Sequence, residues 1–297
     1  MLSNQRPFRW MILPVMLLAF AAGGCQTNPD TGRSQFIVMS PEEELSLGEE
    51  AQPEFIKSYG GEVESEALKK YVTDIGLNLA SQSYRPDLPW EFHVVDSAVI
   101  NAFALPGGKV FMSRGLLEKM DNEAQLAGVL GHEVGHVTAK HVNDRMANAM
   151  AVQGVLAGIG LASQTSDQAW LGALGVGAEF GGSVYLLKYN RDQEHESDEL
   201  GVKYMAKCGY NPMGQVQVME ILAREAGSGG TIEMLSTHPH PESRVERLRG
   251  IIEMEYPEYA DSQDGFFADR FAQIAKAELQ KLPPPKHTGE EQQAAAH

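Results

Sequence analysis

The chain has few cysteines and few basic side chains. Its 297 residues include only 2 cysteines, Cys25 and Cys208, so a fold held together by several disulfides is excluded. Neither cysteine lies in a recognisable nucleophile motif, and no serine nucleophile is indicated. Lysine and arginine number 24 against 40 aspartates and glutamates, a formal net charge of −16. This acidic balance argues against nucleic acid as a partner.

Long apolar runs and internal repeats are also missing. Residues 151–187 are rich in glycine, alanine and leucine, but Gln153, Glu179 and the polar residues 164–168 interrupt them. No run reaches the ~20 apolar residues that a membrane span needs. We expect a helical hairpin that covers a cleft, with contact to a membrane surface as the alternative. No repeat period marks an appended helical-repeat array.

The N-terminus has the layout of a secretory signal. Two arginines precede an apolar run over residues 10–20, and small residues lead to Cys25. This arrangement resembles a bacterial lipobox, although Ala22 stands where leucine is more usual. We therefore expect residues 1–24 to be a lipoprotein signal peptide and residues 25–39 a tether lipidated at Cys25. An ordinary signal peptide and an uncleaved anchor are the alternatives.

The residue after Cys25 bears on the destination of the protein. Gln26 stands there instead of aspartate. By analogy with sorted bacterial lipoproteins, this favours the periplasmic face of the outer membrane of a Gram-negative bacterium. We expect the acyl chains, and not surface charge, to hold the protein to the membrane.

The most informative motif is the pentapeptide His132-Glu133-Val134-Gly135-His136. Residues four apart lie one turn above each other on a helix, so the two imidazoles can bind one zinc ion together. Glu133 lies one residue further round and can reach a water molecule on the same metal. A helix is favoured because Asp121 or Asn122 can cap it and apolar residues recur at helical spacing. The alternative is a surface helix whose histidine pair is accidental.

Three glycines in this segment indicate how the helix packs. Gly128, Gly131 and Gly135 each cost roughly 1 kcal/mol relative to alanine in a helix. They align in one stripe beside the histidine face. We infer that another backbone packs tightly there and brings a further metal ligand close.

A third protein ligand is expected in a catalytic zinc site. His141 is rotated about 140° from His136 on a continuous helix, which argues against it. Glu194 is the better candidate, because Asp198 shares its helical face and can hold the far nitrogen of a ligand histidine. A solvated acidic helix is the alternative, and His195 and Glu196 are expected to be such surface residues.

The motifs together resemble the gluzincin peptidases that include the CAAX prenyl protease, the HtpX membrane peptidase and the periplasmic peptidases BepA and LoiP. The resemblance covers roughly residues 40–250 and rests on these segments: the HEVGH pentapeptide, Arg191 to Asp198, Asn101 to Gly108 with Gly115 to Leu117, and His238-Pro239 with Arg244. Asn190 and Ser197 stand where serine and alanine are more usual. The expected fold is α+β, a mostly helical zincin-like domain over residues 40–280 with a small sheet beside the HExxH helix. Residues 281–297 are expected to be a disordered tail.

The segment before the zinc helix predicts a hairpin. Residues 103–105 and 109–113 are short apolar runs separated by Pro106-Gly107-Gly108, which favours a turn. An edge strand immediately before the zinc helix could pair with an extended substrate backbone. The resemblance implies that this strand borders the active site, so we expect Asn101, Val110 and Phe111 to contact substrate. For Asn101 the alternative is a turn-forming residue.

The closing motif adds donors for the oxyanion that develops during peptide hydrolysis. The resemblance places His238 and Arg244 in the active site. His238 lies in a loop restricted by prolines, and this loop could also swing a histidine onto the metal and leave a latent enzyme. For His240 and His93 a structural role is expected.

The sequence therefore predicts an endopeptidase with one Zn²⁺ per chain, held by His132, His136 and Glu194. Glu133 is expected to take a proton from the metal-activated water and pass it to the leaving amine. Unfolded or misassembled envelope proteins are the expected substrates, in protein quality control. The alternative is a non-catalytic or latent, chaperone-like periplasmic lipoprotein. The presence of Glu133 argues against it, because structural zinc binding needs no such acid.

Overall fold

The computed structural model describes residues 24–158, 188–227, 232–238 and 241–286. The predicted signal peptide up to residue 23, the predicted hairpin from residue 159 onward, His240 and the tail from residue 287 lie outside these ranges. The fold class is α+β and mostly helical, as predicted. Among the described residues, no helix is both long enough and apolar enough to cross a membrane.

The elements follow one another in a simple order. The strands are β1 (Cys25–Thr27), β2 (Ser34–Phe36), β3 (Glu91–Val95), β4 (Ala102–Leu105) and β5 (Lys109–Ser113). The helices of the first half are α1 (Pro41–Ser58), α2 (Glu66–Ala80), α3 (Arg114–Leu117), α4 (Glu123–Thr138) and α5 (His141–Gly158). Those of the second half are α6 (Arg191–Lys207), α7 (Met213–Gly227), α8 (Met234–Thr237), α9 (Pro241–Glu255), α10 (Pro257–Ala260) and α11 (Ala268–Phe271). A π-helical turn (Ala272–Lys276) and α12 (Ala277–Leu279) continue α11.

The helix starts follow their capping residues. Ser40 caps α1 in a reciprocal box with Glu43, and Pro41 occupies the first helical position. Asn122 caps α4, since its side chain accepts a hydrogen bond from the backbone N–H of Gln125 at 3.0 Å. The pentapeptide therefore falls in the second half of α4, inside regular helix.

The three-stranded sheet has the order β3-β5-β4, with β3 parallel and β4 antiparallel to β5. The predicted hairpin is confirmed: β4 and β5 are joined by a turn over Pro106–Gly108. Gly107 and Gly108 adopt φ of 74° and 87° there, values that residues with a Cβ disfavour.

One part of the hairpin prediction is wrong. The strand immediately before α4 is β5, which lies in the middle of the sheet with a partner on each side. Val110 and Phe111 are paired with both neighbouring strands and have buried side chains, so their backbone cannot add a substrate strand. The edge strand is β4. Pairing of β3 with β5 over a long connection left no signature in the hairpin sequence.

Helix α4 lies at the centre of the domain, and all of its residues are buried. On one face of the sheet a continuous apolar core joins α2, α4, α6 and α7. On the other face Phe55 of α1 and Tyr59, which directly follows α1, pack against Phe103 and Phe111, whose rings stack with centroids 4.8 Å apart. The sheet and helices α2, α6 and α7 therefore enclose the helix that carries the pentapeptide.

The glycine stripe of α4 lies against neighbouring backbones, which confirms the tight backbone packing predicted from the sequence. A Cβ built on Gly131 would lie 3.3 Å from the Cα of Gly201 in α6. One built on Gly135 would lie 3.1 Å from the Cα of Ser197, and one on Gly128 2.8 Å from the Cα of Gln215 in α7. The close approach of α6 brings its acidic face to the histidines.

Adding a methyl group at Gly128 is expected to destabilise the fold. In Gly128→Ala the new carbon meets backbone, and such overpacking costs about 1–3 kcal/mol, more than the ~1 kcal/mol gained in helix propensity. Gly250, exposed in α9 with open space around it, supplies the control, because Gly250→Ala should stabilise by up to ~1 kcal/mol. Urea unfolding of both variants measures the difference; equal stabilisation by both would show that the contact does not matter.

The predicted tether over residues 25–39 is wrong as a description of this segment. The hairpin of β1 and β2 packs against the end of α4, where Asn28 donates to the carbonyl of Thr138 at 2.9 Å and Gln35 donates to that of Ala139. Phe36 is held in turn, because Asn143 donates to its carbonyl at 2.9 Å. These contacts join residues more than 100 apart in sequence, which local patterns do not indicate. Cys25 is exposed, and its lipidation stays a prediction.

The predicted tail also begins later than residue 281. Arg114 donates to the carbonyl of Pro283, and Lys286 forms a bridge with Ser97. Residues 281–286 therefore lie against the end of β3, and the prediction of disorder remains only for residues 287–297.

Candidate metal centre and active site

Helix α4 presents both histidines of the pentapeptide to one point. His132 and His136 are buried, and their Nε2 atoms lie 3.0 Å apart. Glu133 is fully buried beside them. The four-residue spacing thus produces the convergence predicted from helix geometry.

Helix α6 brings Glu194 to the same point. Its Oε1 lies 3.4 Å from His136 Nε2, and its Oε2 lies 3.6 Å from His132 Nε2. The start of α6 is fixed by a reciprocal capping box between Asn190 and Gln193, so Glu194 is held in the first turn of a well-defined helix.

His238 is the fourth member of the cluster. Its Nδ1 lies 2.9 Å from Glu194 Oε1 and 3.3 Å from His132 Nε2. One ligand atom from each of His132, His136, Glu194 and His238 lies within 4.8 Å of the others. The loop that carries His238 is tied to the start of α6, because Tyr189 N–H donates to the Thr237 carbonyl at 3.0 Å.

The cluster fits a divalent metal ion. Donors 2.0–2.1 Å from a tetrahedral centre lie about 3.3 Å apart, and the nitrogen and oxygen separations of 3.0, 3.4 and 3.6 Å are close to this value. Within the described part of the chain, neither carboxylate oxygen of Glu133 has a hydrogen-bond partner. The same is true of His238 Nε2. Two imidazoles and a carboxylate are a donor set that suits zinc.

Asp198 and Arg244 hold the cluster from the far side. Asp198 Oδ1 lies 3.0 Å from His132 Nδ1, at the position predicted for a group that orients this ligand. Arg244 donates from Nε to Asp198 Oδ2 at 2.7 Å and from Nη2 to Oδ1 at 2.5 Å, and its Nη1 lies 2.5 Å from Glu194 Oε2. These contacts make Arg244 a positioning residue; its predicted donation to an oxyanion stays a prediction.

The charges of the cluster follow from burial and from Arg244. Burial alone would raise the pKa of the Asp198 carboxyl, but Arg244 and His132 lower it to about 2. Burial would also raise the pKa of Glu194, but His238 and Arg244 bring it well below its ordinary value. Burial lowers the pKa of His136 well below its ordinary value. An anionic Glu194 and a neutral His136 are the protonation states that metal binding requires.

Glu133 and His238 are shifted the other way. Burial is the largest influence on Glu133 and raises the pKa of its carboxyl. Burial would lower the pKa of His238, but the carboxylates of Glu194 and Glu133 raise it above its ordinary value. His238 Nε2 lies 3.8 Å from Glu133 Oε1, so the two groups face one another across the cluster.

His141 and Glu196 belong to the site, although the sequence placed Glu196 at the surface. His141 Nδ1 lies 2.8 Å from His136 Nδ1, and its Nε2 lies 2.8 Å from Glu196 Oε2. The rotation argument assumed a continuous helix, but α4 ends at Thr138 and Lys140 takes a positive φ of 55°. This break returns His141 to the back of His136, and no local sequence signal marks it.

The remaining predicted residue, Asn101, lies just before β4. It is buried, and its Nδ2 donates to the Tyr59 hydroxyl at 3.1 Å. A small crevice joins the edge strand to the cluster; its lining includes residues 103–105, Tyr189 and His238. Tyr189 stacks on His136 with centroids 3.7 Å apart. Substrate contact by Asn101 stays a prediction.

A buried HExxH helix with a glutamate of α6 placed 3.4 and 3.6 Å from its two histidines is the arrangement of one class of proteins, the HExxH metallopeptidases of the glutamate-ligand type. The chain matches the model of peptidase family M48 over residues 66–252, and it belongs to that family.

Relatives in the family come from bacteria and mitochondria. The chain is 30% identical over 255 residues to the beta-barrel assembly-enhancing protease of Escherichia coli strain K12, covering 83% of this chain and 51% of the relative. It is 29% identical over 223 residues to the mitochondrial metalloendopeptidase OMA1 of Schizosaccharomyces pombe, covering 74% and 64%. The chain spans about half the length of the beta-barrel assembly-enhancing proteases that it matches.

Proposed function

We propose that this chain is a zinc-dependent endopeptidase. The observation that carries the proposal is the convergence of His132, His136 and Glu194 beside a buried Glu133 that has no hydrogen-bond partner among the described residues. When bound, zinc would acidify a water molecule and polarise the substrate carbonyl.

In this mechanism Glu133 is the general base. Its carboxyl is fully buried and not engaged by described donors, so it is available to accept a proton from the attacking water and deliver it to the leaving amine. Burial raises the pKa of the carboxyl, which strengthens it as a base. Arg244 and Asp198 keep the ligands in place while the proton moves.

The edge strand β4 is the proposed substrate-binding element. Within the described sheet, β4 pairs only with β5, and the crevice beside it leads to His238. An extended peptide added to this edge would be bound through its backbone, with little selectivity for side chains. This mode suits unfolded segments of many sequences. Asn101, just before β4, is the proposed side-chain contact.

The position of His238 indicates that the resting enzyme is occluded. His238 Nδ1 lies 2.9 Å from Glu194 Oε1, among the four clustered candidate ligands. In this arrangement the histidine therefore fills a coordination position that substrate or water needs. We expect it to leave that position on activation.

Removing His238 tests this resting state. If the occluded form holds about nine-tenths of the molecules, His238→Ala should raise the rate of casein cleavage about 10-fold. His195→Ala, which changes a histidine of α6 outside the cluster, should leave the rate unchanged. Loss of cleavage in His238→Ala under every condition would instead show that His238 acts in the chemical step.

The proposed biological setting is the cell envelope. Residues 1–24 would be a lipoprotein signal, Cys25 would carry the acyl chains, and the catalytic domain would act in the periplasm on misfolded or unassembled envelope proteins. The similarity to beta-barrel assembly-enhancing proteases supports this setting. Mass spectrometry of the N-terminal peptide tests the anchor, since an unmodified Cys25 in protein from the native host would contradict it.

The zinc requirement is tested by removing and restoring the metal. A chain beginning at residue 25 should cleave casein, lose this activity to a chelator, and regain it with one equivalent of zinc. A chaperone-like lipoprotein would bind unfolded casein without cutting it. Casein that stays intact with both the parent and His238→Ala, each loaded with zinc, would favour that alternative.

A further inference from the structure

The two ligand histidines of α4 are held from behind in different ways. The far nitrogen of His132 meets a carboxylate directly, that of Asp198. The far nitrogen of His136 meets a second histidine, because His136 Nδ1 and His141 Nδ1 lie 2.8 Å apart. His141 is fully buried, and its other nitrogen lies 2.8 Å from Glu196 Oε2.

These contacts have one consistent arrangement of protons once His136 is a ligand. His136 faces the cluster with Nε2, so this nitrogen is unprotonated and Nδ1 carries the hydrogen. Nδ1–H then donates to His141 Nδ1, and His141 carries its own hydrogen on Nε2, which donates to Glu196. A single carboxylate thereby sets the tautomer of both rings.

Glu196 is in turn fixed by the N-terminal hairpin. Arg33, between β1 and β2, donates from Nε to both oxygens of Glu196 at 3.1 Å, and its Nη2 lies 3.0 Å from Oε2. The Nη1 of Arg33 lies 2.7 Å from Asp144 Oδ2 in α5, which holds the guanidinium from its other end. Arg33 and Glu196 line a cavity of about 780 Å³, and none of the four clustered residues lines it.

We propose that His141, Glu196 and Arg33 form a positioning chain that fixes the ring orientation and tautomer of His136, so that the N-terminal hairpin is a working part of the metal site. The inference rests on the proposed function in one respect, the binding of a metal by His136. None of the three residues is assigned contact with substrate or metal; they act through His136.

A simpler reading is that Arg33 only docks the hairpin. The chain offers a matched control for it: Lys203 of α6 lies 2.9 Å from Asp30 of the same hairpin. Lys203→Ala removes a salt bridge between the same two elements and leaves the positioning chain intact.

The experiment measures zinc affinity by competition with a chromophoric chelator, using a chain that begins at residue 25. Partners of ligand histidines typically contribute 10–100-fold in metal affinity. His141→Ala should therefore weaken zinc binding within that range, and Glu196→Gln and Arg33→Ala about 10-fold, at its low end. Lys203→Ala should keep the parent affinity. The visible spectrum of the cobalt-substituted protein should change in His141→Ala and Glu196→Gln and not in Lys203→Ala.

The outcomes separate this inference from the proposed function. Parent affinity in folded His141→Ala and in Glu196→Gln overturns the positioning chain while leaving the zinc site standing. Equal weakening by Arg33→Ala and Lys203→Ala overturns the part given to Arg33. A parent that binds no zinc, or whose zinc survives His132→Ala, overturns the proposed function itself. If buried His141 cannot be replaced without unfolding, Glu196→Gln decides, because the side chain of Glu196 is 15% exposed.

Discussion

Replacing Glu133 with glutamine is expected to slow casein cleavage by about 10²–10⁴-fold, the usual contribution of a general base, without loss of zinc. Glutamine has nearly the same shape, but its amide cannot accept the proton of the attacking water. Glu133 is not among the clustered ligand residues, so the metal content should be unchanged. Removing a fully buried carboxyl whose burial opposes ionisation should also leave the fold intact.

The measurement pairs initial rates of casein cleavage with zinc content by atomic absorption. It is made both in the parent and in the His238→Ala background, so that a latent resting state does not hide the effect. Glu199→Gln, an exposed carboxylate of α6 paired with Arg247, is the control and should cleave at the parent rate. Cleavage by Glu133→Gln at the rate of its own background would remove Glu133 from the mechanism.

Replacing Glu194 with alanine is expected to weaken zinc binding by more than about 100-fold, beyond the effect of losing a group that only orients a ligand. The variant should also lose stability, because Glu194 pairs with buried Arg244 and contacts His238. Removing one member of a buried ion pair costs about 3–5 kcal/mol. Arg244 keeps its two bonds to Asp198, so we expect roughly 3 kcal/mol.

The change in the free energy of unfolding must be measured without metal, since zinc itself stabilises the native state. Urea unfolding of parent and variant in the presence of a chelator isolates the lost ion pair. Glu199→Ala removes an exposed carboxylate from the same helix and should change stability by less than about 1 kcal/mol. Undiminished zinc affinity in Glu194→Ala would show that the third ligand lies elsewhere.

The parts of the site that follow helical periodicity were predictable. His132, Glu133 and His136 lie on one helix, and Glu194 and Asp198 lie on one face of another, so spacing alone determines which side chains converge. Glycine inside a helix lowers its stability relative to alanine, and a close contact with another helix can offset this loss. The glycines of α4 therefore indicated such a contact from the sequence alone.

Other parts depend on contacts between distant segments. Val110 and Phe111 were assigned to an edge because nothing in the hairpin indicates that β3 pairs with β5. Residues 25–39 were taken for a tether because the contacts of Asn28 and Gln35 with the end of α4 span more than 100 residues. Glu196 was taken for a surface acid because its partner His141 is reached only through the break at Lys140.

The most direct test of the account locates the metal. Crystals of the chain beginning at residue 25, grown with zinc, would be measured on both sides of the zinc absorption edge. The account predicts one anomalous peak per chain, about 2.0–2.2 Å from His132 Nε2, His136 Nε2 and a Glu194 oxygen. A peak bound by other residues, or no peak at this cluster, would contradict it.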